Sequence, residues 1–245
     1  MSRSLRLVAG PKGAFGNTIE SFHQAVEAGA DTIEIDVIWL PDAHLPQAER
    51  SPLVVAHDWE DAAARTPLRL TEALDALSAP PFDQLEIDLD IKLPGREEEL
   101  VQSLRERGMV KRSMISTLEL YSLGRVRELE PSLRRGWSYP KVSRDWSAVS
   151  WVKPALPFAL KVMRHRLPGL AAEQLPRLGV GAMWVYHPLV SPRLGRICEL
   201  ADVELIAWKV DEAARMHELL EGGATGICSN EPELFPALRR RLVAA

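Results

Sequence analysis

The chain reads as a (β/α)8 barrel of the TIM type on three observations. Eight short β-branched or apolar runs alternate with longer helix-like stretches from one end to the other. Several of those stretches stop at glycine, as at Gly29, Gly108 and Gly222, where a helix end favours a residue that tolerates positive φ. The length, 245 residues, suits eight such units closing on one another.

The first strand, "LRLVA" from Leu5, runs into a glycine-rich turn and then the helix "TIESFHQAVEAG", which Asn17 is placed to cap. That turn can offer backbone N–H groups to an anion, and its one cation is Lys12. The second strand, "TIEIDVI" from Thr32, precedes a Pro-rich insertion, "LPDAHLPQAERSP", which carries His44. A short apolar run then leads to His57, followed by the helix "LTEALDALS". The third strand, "LEIDLDI" from Leu85, is followed by "REEELVQSLRERG", and the fourth, "SMIS" from Ser113, by "LELYSLGRVRELE". After the fifth, "RRGWSY" from Arg134, comes a long stretch from Asp145 to Leu178 that reads as irregular. The sixth, "VGAMWVY" from Val180, the seventh, "VELIAWKV" from Val203, and the eighth, "TGICS" from Thr225, are each followed by a helical pattern.

A doubly wound open sheet is the competing architecture, but "AGPKGAFGN" does not spell its Gly-x-Gly-x-x-Gly fingerprint. With no linker or low-complexity segment, residues 1–245 read as one barrel domain. The long segments after the second and fifth strands belong to the face where barrels keep their pockets.

Composition narrows the partners. Thirty basic against 34 acidic residues leave a net charge of −4, with no basic excess for nucleic acid. Two cysteines, Cys198 and Cys228, make neither a disulfide framework nor a zinc knuckle and read as buried thiols in a reducing compartment. No run of eighteen apolar residues offers stable membrane insertion, and the N-terminal apolar run is too short for a secretory signal. The expectation is a cytoplasmic protein of unassigned oligomeric state.

The second and third strands carry the chemistry. Thr32, Glu34 and Asp36 share one face of the second; Glu86, Asp88, Asp90 and Lys92 share one face of the third. With the isoleucines and leucines turned to the helix layer, five carboxylates point into the barrel. Neighbours on one face stand about 7 Å apart and repel by roughly 2 kcal/mol at an effective dielectric near 20. A divalent cation would offset this, and an all-oxygen ligand set suits Mg2+ or Ca2+. Pairing with Lys92 and inward arginines, or a solvated sheet face, stays open as the alternative. His57, before Asp58 in "PLVVAHDWED", adds a group matched to proton transfer near neutral pH.

In this order the motifs resemble the glycerophosphodiester phosphodiesterase family. There a first strand ends in His-Arg-Gly, followed by a Pro-Glu-Asn-Thr turn, a helix and Gly-Ala-Asp-x-Ile-Glu-x-Asp-Val. "GNTIESFHQAVEAGADTIEIDV" matches from Asn17 without a gap, "LVVAHD" matches the apolar strand with His-Asp, "DIK" stands for Glu-Ile-Lys, "WKVD" for Trp-Thr-Val-Asn, and "GATGICSNEP" for the closing motif. The resemblance implies a metal-dependent barrel that cleaves a small glycerol-linked phosphodiester to an alcohol and a phosphomonoester. Glu34, Asp36 and Asp90 would hold a divalent cation, His57 would move protons, Lys92 would steady a phosphate oxygen, and Trp208 would wall the glycerol pocket.

The chain also departs from the pattern. Gly10, Pro11 and Lys12 stand in the neighbourhood of the family's first histidine and arginine; Gly16 replaces a glutamate, Asp90 shortens the third acid, and Ser229-Asn230 replaces Thr-Asp. Losing one proton-transfer group typically costs about 10²–10⁴ in rate. Lys12 would supply positive charge in place of the lost pair, and His44 is a second candidate for the lost acid. Two other readings stand beside the hydrolase: a barrel that binds phosphate esters without turnover, and a lyase using Lys92 as a Schiff-base amine.

Trp137, Trp146 and Trp151 are candidates for an apolar wall near the mouth, and His187 follows the sixth strand. "FALKVMRHRLPGL" from Phe158 is basic and partly amphipathic; it suits a solvated helix face and, as the lesser reading, contact with lipid head groups.

Overall fold

A computed structural model of the protein describes residues 5–12, 16–40, 42, 44–141 and 156–244. In chain order its strands and α-helices are β1 (Arg6–Ala9), α1 (Ile19–Glu27), β2 (Thr32–Ile38), β3 (Val54–Val55), α2 (Trp59–Ala64), β4 (Leu68–Arg69), α3 (Leu70–Leu77), β5 (Glu86–Ile91), α4 (Glu97–Glu106), β6 (Ser113–Thr117), α5 (Leu120–Leu129), β7 (Arg134–Tyr139), α6 (Leu156–Leu178), β8 (Ala182–Tyr186), α7 (Pro192–Leu200), β9 (Glu204–Trp208), α8 (Ala213–Glu221), β10 (Gly226–Ser229) and α9 (Phe235–Ala244).

The eight strands expected from the sequence close into a parallel ring, β1-β2-β5-β6-β7-β8-β9-β10 and back to β1. Their isoleucines, leucines and valines, with Trp137, fill the layer between barrel and helices. A smaller interior group, Val8, Met114, Ala182, Trp184, Ile206 and Cys228, plugs the barrel and is flanked by Trp208. The barrel is therefore a packed core, and chemistry is confined to its ends. The β2–β5 register sets Glu34 beside Asp88 and Asp36 beside Asp90.

Four local expectations are corrected. The segment that reads as irregular contains α6, a 23-residue helix with Pro168 and Pro176 inside it. Its buried Leu167, Ala171 and Leu175 outweigh the hydrogen bonds the prolines cannot make. Thr18, not Asn17, caps α1, accepting from Ser21 N at 3.1 Å. After α8 the left-handed residue is Gly223 (φ +94°), whereas Gly222 stays at −76°. Trp137 packs in the outer layer, edge-on to Tyr139 at 5.9 Å, rather than at the mouth; Trp146 and Trp151 lie outside the described residues.

The apolar strand expected before His57 is β3, but the sequence reading missed β4 and the antiparallel pairing of both. β3 pairs antiparallel with the upper end of β2, and β4 with β3. Asp42 accepts from Ser51 N and Oγ at 2.6 and 2.7 Å, while Arg96 donates to the Ser51 carbonyl at 2.7 Å and pairs with Glu99. These bonds tie the Pro-rich insertion to α4, with His44 exposed.

Candidate active site

Glu34, Asp36 and Asp90 each place a carboxylate oxygen so that the three lie within 4.8 Å of one another at the C-terminal end of the barrel. The β2–β5 register makes this possible, because all three side chains point inward from adjacent strands. Asp36 is the best-held of them. Asn17 adopts φ +58°, which asparagine tolerates, and clasps it twice: Nδ2 donates to Asp36 Oδ2 and Oδ1 accepts from Asp36 N, both at 2.9 Å. Lys92 Nζ donates to Asp36 Oδ1 at 2.5 Å and also pairs with Asp90. The other Asp90 oxygen, Oδ1, is buried without a hydrogen-bond partner among the described residues.

His57 stands at the rim, its side chain 63% exposed, with Nδ1 3.3 Å from Asp36 Oδ2. An ionised carboxylate only accepts, so Nδ1 carries the proton and Nε2 is the basic nitrogen of the neutral ring. The backbone is held from below: His57 N donates to Asp61 Oδ2 at 3.0 Å, Asp58 caps α2, and Arg65 grips Asp61 at 2.8 and 2.9 Å.

The charges do not balance. Burial first, then Asp36 and Asp90, push the Glu34 carboxyl up to about 8. Burial also raises Asp90, with Asp36 adding to the rise. Asp36 goes the other way: burial alone would raise it, but Lys92 and His57 outweigh that and hold it below the usual carboxylate range. The hydrogen bond to Asp36 raises His57, and the surrounding acids raise Lys92 against the effect of burial. A trio of carboxylates in which Glu34 keeps its proton at neutral pH despite Lys92 is a set chemically suited to a hard divalent cation.

The remaining acids of the third strand do other work. Asp88 is buried and accepts from Ser116 Oγ at 2.6 Å, and Glu86 lies at the opposite end of the barrel with Arg6 and Arg134. The five carboxylates expected on the inner faces are thus distributed by the register over three depths.

Trp208 closes another side of the mouth. Its ring lies 5.1 Å from that of Tyr186, and its Nε1 is buried without a partner among the described residues. His187 follows Tyr186 and is tied to Arg215, whose Nε donates to His187 Nδ1 at 3.3 Å. Burial and Arg215 lower its pKa.

No profile of a known protein family matches the chain. Individual relatives do. A glycerophosphodiester phosphodiesterase of Caldanaerobacter subterraneus subsp. tengcongensis is 26% identical over 254 residues, covering 92% of each chain. The glycerophosphodiester phosphodiesterase GDPD4 of Arabidopsis thaliana is 32% identical over 81 residues, 33% of this chain and 25% of its own. The chain is thus similar to a glycerophosphodiester phosphodiesterase over nearly its whole length, as its motifs suggested. Solved structures agree on the fold. A glycerophosphoryl diester phosphodiesterase structure from Silicibacter pomeroyi superposes with TM-score 0.72 at 16% identity, over 99% of this chain and 95% of that one. A phosphodiesterase from Oleispira antarctica, in complex with the product sn-glycerol-3-phosphate, gives 0.67 at 16% identity over 96% of each.

The end of β1, where the sequence departs from the motif it otherwise resembles, is closely packed. A Cβ on Gly10 would stand 2.9 Å from Cys228 Sγ, 3.1 Å from Asn230 Oδ1 and 3.2 Å from Glu34 Oε2. A side chain here would point at the acids, and the Cys228 thiol fills the space, donating to Glu34 Oε2 at 2.8 Å. Gly10 and Glu34 also line a cleft of about 480 Å³ beside α1. Lys12 does not reach the acids: it is exposed and paired with Glu231 at 2.5 Å.

Sequence reasoning missed Asn17 as the holder of Asp36, Cys228 as the partner of Glu34, and Asp211. Asp211 Oδ1 accepts from Ser229 Oγ and Asn230 N at 3.1 and 2.9 Å, fixing the closing turn. The signals were present in "GNT", "ICSN" and "KVD", but side chains of this kind acquire meaning only when distant turns meet.

Proposed function

We propose that the protein is a single-domain phosphoric diester hydrolase that cleaves a small glycerol-type phosphodiester to an alcohol and a phosphomonoester. The observation that carries the reading is the convergence of Glu34, Asp36 and Asp90 beneath His57 at the mouth of the barrel. The three acids would hold a divalent cation, Mg2+ or Ca2+, which supplies charge to polarise the phosphoryl group. Asn17 fixes the direction of Asp36, and Cys228 that of Glu34. Lys92, already between Asp36 and Asp90, has an ammonium within reach of a phosphate oxygen once it is released from one of them. His57 holds a proton at Nδ1 against Asp36 and exchanges protons with the substrate or water at Nε2. Trp208 offers a flat wall and an unmet Nε1 donor to a glycerol hydroxyl. The Lys12–Glu231 pair places Lys12 in charge compensation rather than proton transfer, since an ammonium tied to a carboxylate is a poor acid. The reading carries a cytoplasmic setting, in keeping with two buried free thiols, Cys198 and Cys228. Among the described residues no helix is long and apolar enough to cross a membrane.

The test is hydrolysis of glycerophosphodiesters by the purified chain. Chelation abolishes turnover, Mg2+ or Ca2+ restores it, and Glu34→Ala and His57→Ala each suppress it. Turnover surviving chelation and both substitutions would sink the proposal. One observation favours a second reading, a barrel that binds phosphate esters without turnover: the inward position at residue 10 is glycine and its space is taken by a thiol. Phosphate-ester binding without product at high protein concentration would select it.

A further inference from the structure

Seven large apolar side chains stand exposed among the described residues, and five of them gather at the mouth: Leu40, Trp59, Leu120, Tyr121 and Phe158. Leu40 lies two residues beyond β2 and Trp59 two beyond His57; Leu120 and Tyr121 begin α5 beyond β6, and Phe158 is in the first turn of α6 beyond β7. The strands β2, β5, β6 and β7 are consecutive around the barrel, so the five side chains occupy one continuous half of the rim. The half over β8, β9, β10 and β1 carries none of the seven. Phe158 and Tyr121, 73% and 68% exposed, are far more open than packing aromatics.

The charge beside this half-rim is distinctive. From Leu156 to Ala172, α6 contains Lys161, Arg164, His165 and Arg166 and no acid before Glu173. Lys161, Arg164 and Arg166 are exposed, and the ion pair seen on α6 is Arg177 with Glu173, well below them. Lys161 shares a helix face with Phe158, three residues away. In a protein of net charge −4 this is a local excess of cations not neutralised among the described residues.

We infer that this half of the mouth seats on an anionic phospholipid bilayer. Phe158, Tyr121 and Trp59 enter the headgroup boundary, where Tyr and Trp keep a polar edge in contact with water while the Phe ring is buried as apolar surface, and the α6 cations meet lipid phosphates. Attachment is to the surface. The inference stands on the rim and not on the hydrolase reading; where both hold, the mouth faces phosphodiester head groups as it docks.

The experiment sediments the purified full chain with vesicles of phosphatidylcholine alone and of phosphatidylcholine mixed with phosphatidylglycerol. Binding is expected to the anionic vesicles and to weaken as salt is raised. Phe158→Ser with Tyr121→Ser lowers partitioning roughly tenfold or more, and Arg164→Glu with Arg166→Glu removes the preference for phosphatidylglycerol. All these side chains are exposed, and unchanged thermal melting of the variants shows that the fold persists. Cleavage of a soluble glycerophosphodiester stays at the wild-type level, so loss of docking and loss of hydrolysis are separate results. The inference is overturned if neither vesicle sediments the chain, if the serine variant binds as well as wild type, or if light scattering shows a dimer that the serine variant breaks.

Discussion

The two ends of the barrel interior both hold clustered charge, and they differ in balance. At the N-terminal end Arg6 pairs with Glu86 and Glu204, and Arg134 with the same two acids, in a ring of two cations and two anions. At the C-terminal end Glu34, Asp36 and Asp90 face Lys92 and one histidine, and Glu34 retains a proton up to about pH 8. The lower ring is complete without any ligand. The upper one is short of positive charge, which is the physical signature of a site built to receive it.

The largest effect is expected on breaking the upper cluster at its best-held member. Asp36→Asn removes charge while keeping shape, and we expect cation binding to be lost and turnover to fall by about 10³ or more, measured by calorimetry and product release. A variant with wild-type cation affinity would erase the contrast between the two ends. Next comes His57→Ala, with a fall in turnover of about 10²–10³ and cation affinity nearly intact. Equal loss of both would mean that His57 shapes the site rather than moving protons.

Breaking the lower ring should do the reverse. Arg6→Met leaves Glu86 and Glu204 with one partner between them, at a cost of about 1–3 kcal/mol after allowing for their partial exposure. Thermal melting should shift downward while turnover per folded molecule is unchanged. A change in kcat with no change in melting would show that the two ends are coupled.

pH sharpens the same comparison. Glu34 ionises near 4.5 when unfolded and near 8 when folded, so between those values the folded chain holds a proton that the unfolded chain has released. The raised acid therefore favours folding at low pH, and that contribution is lost as pH rises towards about 8. Asp90, raised by burial, acts with the same sign. Melting of the cation-free protein should fall over this window, and saturating Mg2+ or Ca2+ should flatten the fall. The smallest effect belongs to Lys92→Gln: removing a competing ammonium should tighten cation binding several-fold while weakening the phosphodiester complex.

Much of this was legible in the sequence, for identifiable reasons. The eight strands announce themselves because buried parallel strands are β-branched and apolar, and alternation within "TIEIDVI" and "LEIDLDI" tells inside from outside. That alternation turns five carboxylates inward, and the family resemblance singles out Glu34, Asp36 and Asp90 among them. What stayed hidden depends on contacts between distant turns. Asn17 has the composition of a cap, and only the left-handed turn beside Asp36 makes it a clasp. Cys228 looked like an inert buried thiol, and only the absence of a side chain at Gly10 lets it reach Glu34. α6 was obscured by its prolines: Pro157 sits in the first turn, where proline is tolerated, and the local penalty of Pro168 and Pro176 is overridden by the burial of Leu167, Ala171 and Leu175.

The account turns on whether the upper cluster takes up the charge it lacks. Calorimetric titration of the metal-free protein with Mg2+ or Ca2+ near neutral pH, repeated in buffers of different ionisation enthalpy, measures both the cation and the proton it displaces. We predict one cation per chain, release of about one proton as Glu34 ionises, and loss of both signals in Asp36→Asn. No uptake, or uptake that Asp36→Asn leaves unchanged, would contradict the account and leave Lys92 and His57 as the counterions of the three acids.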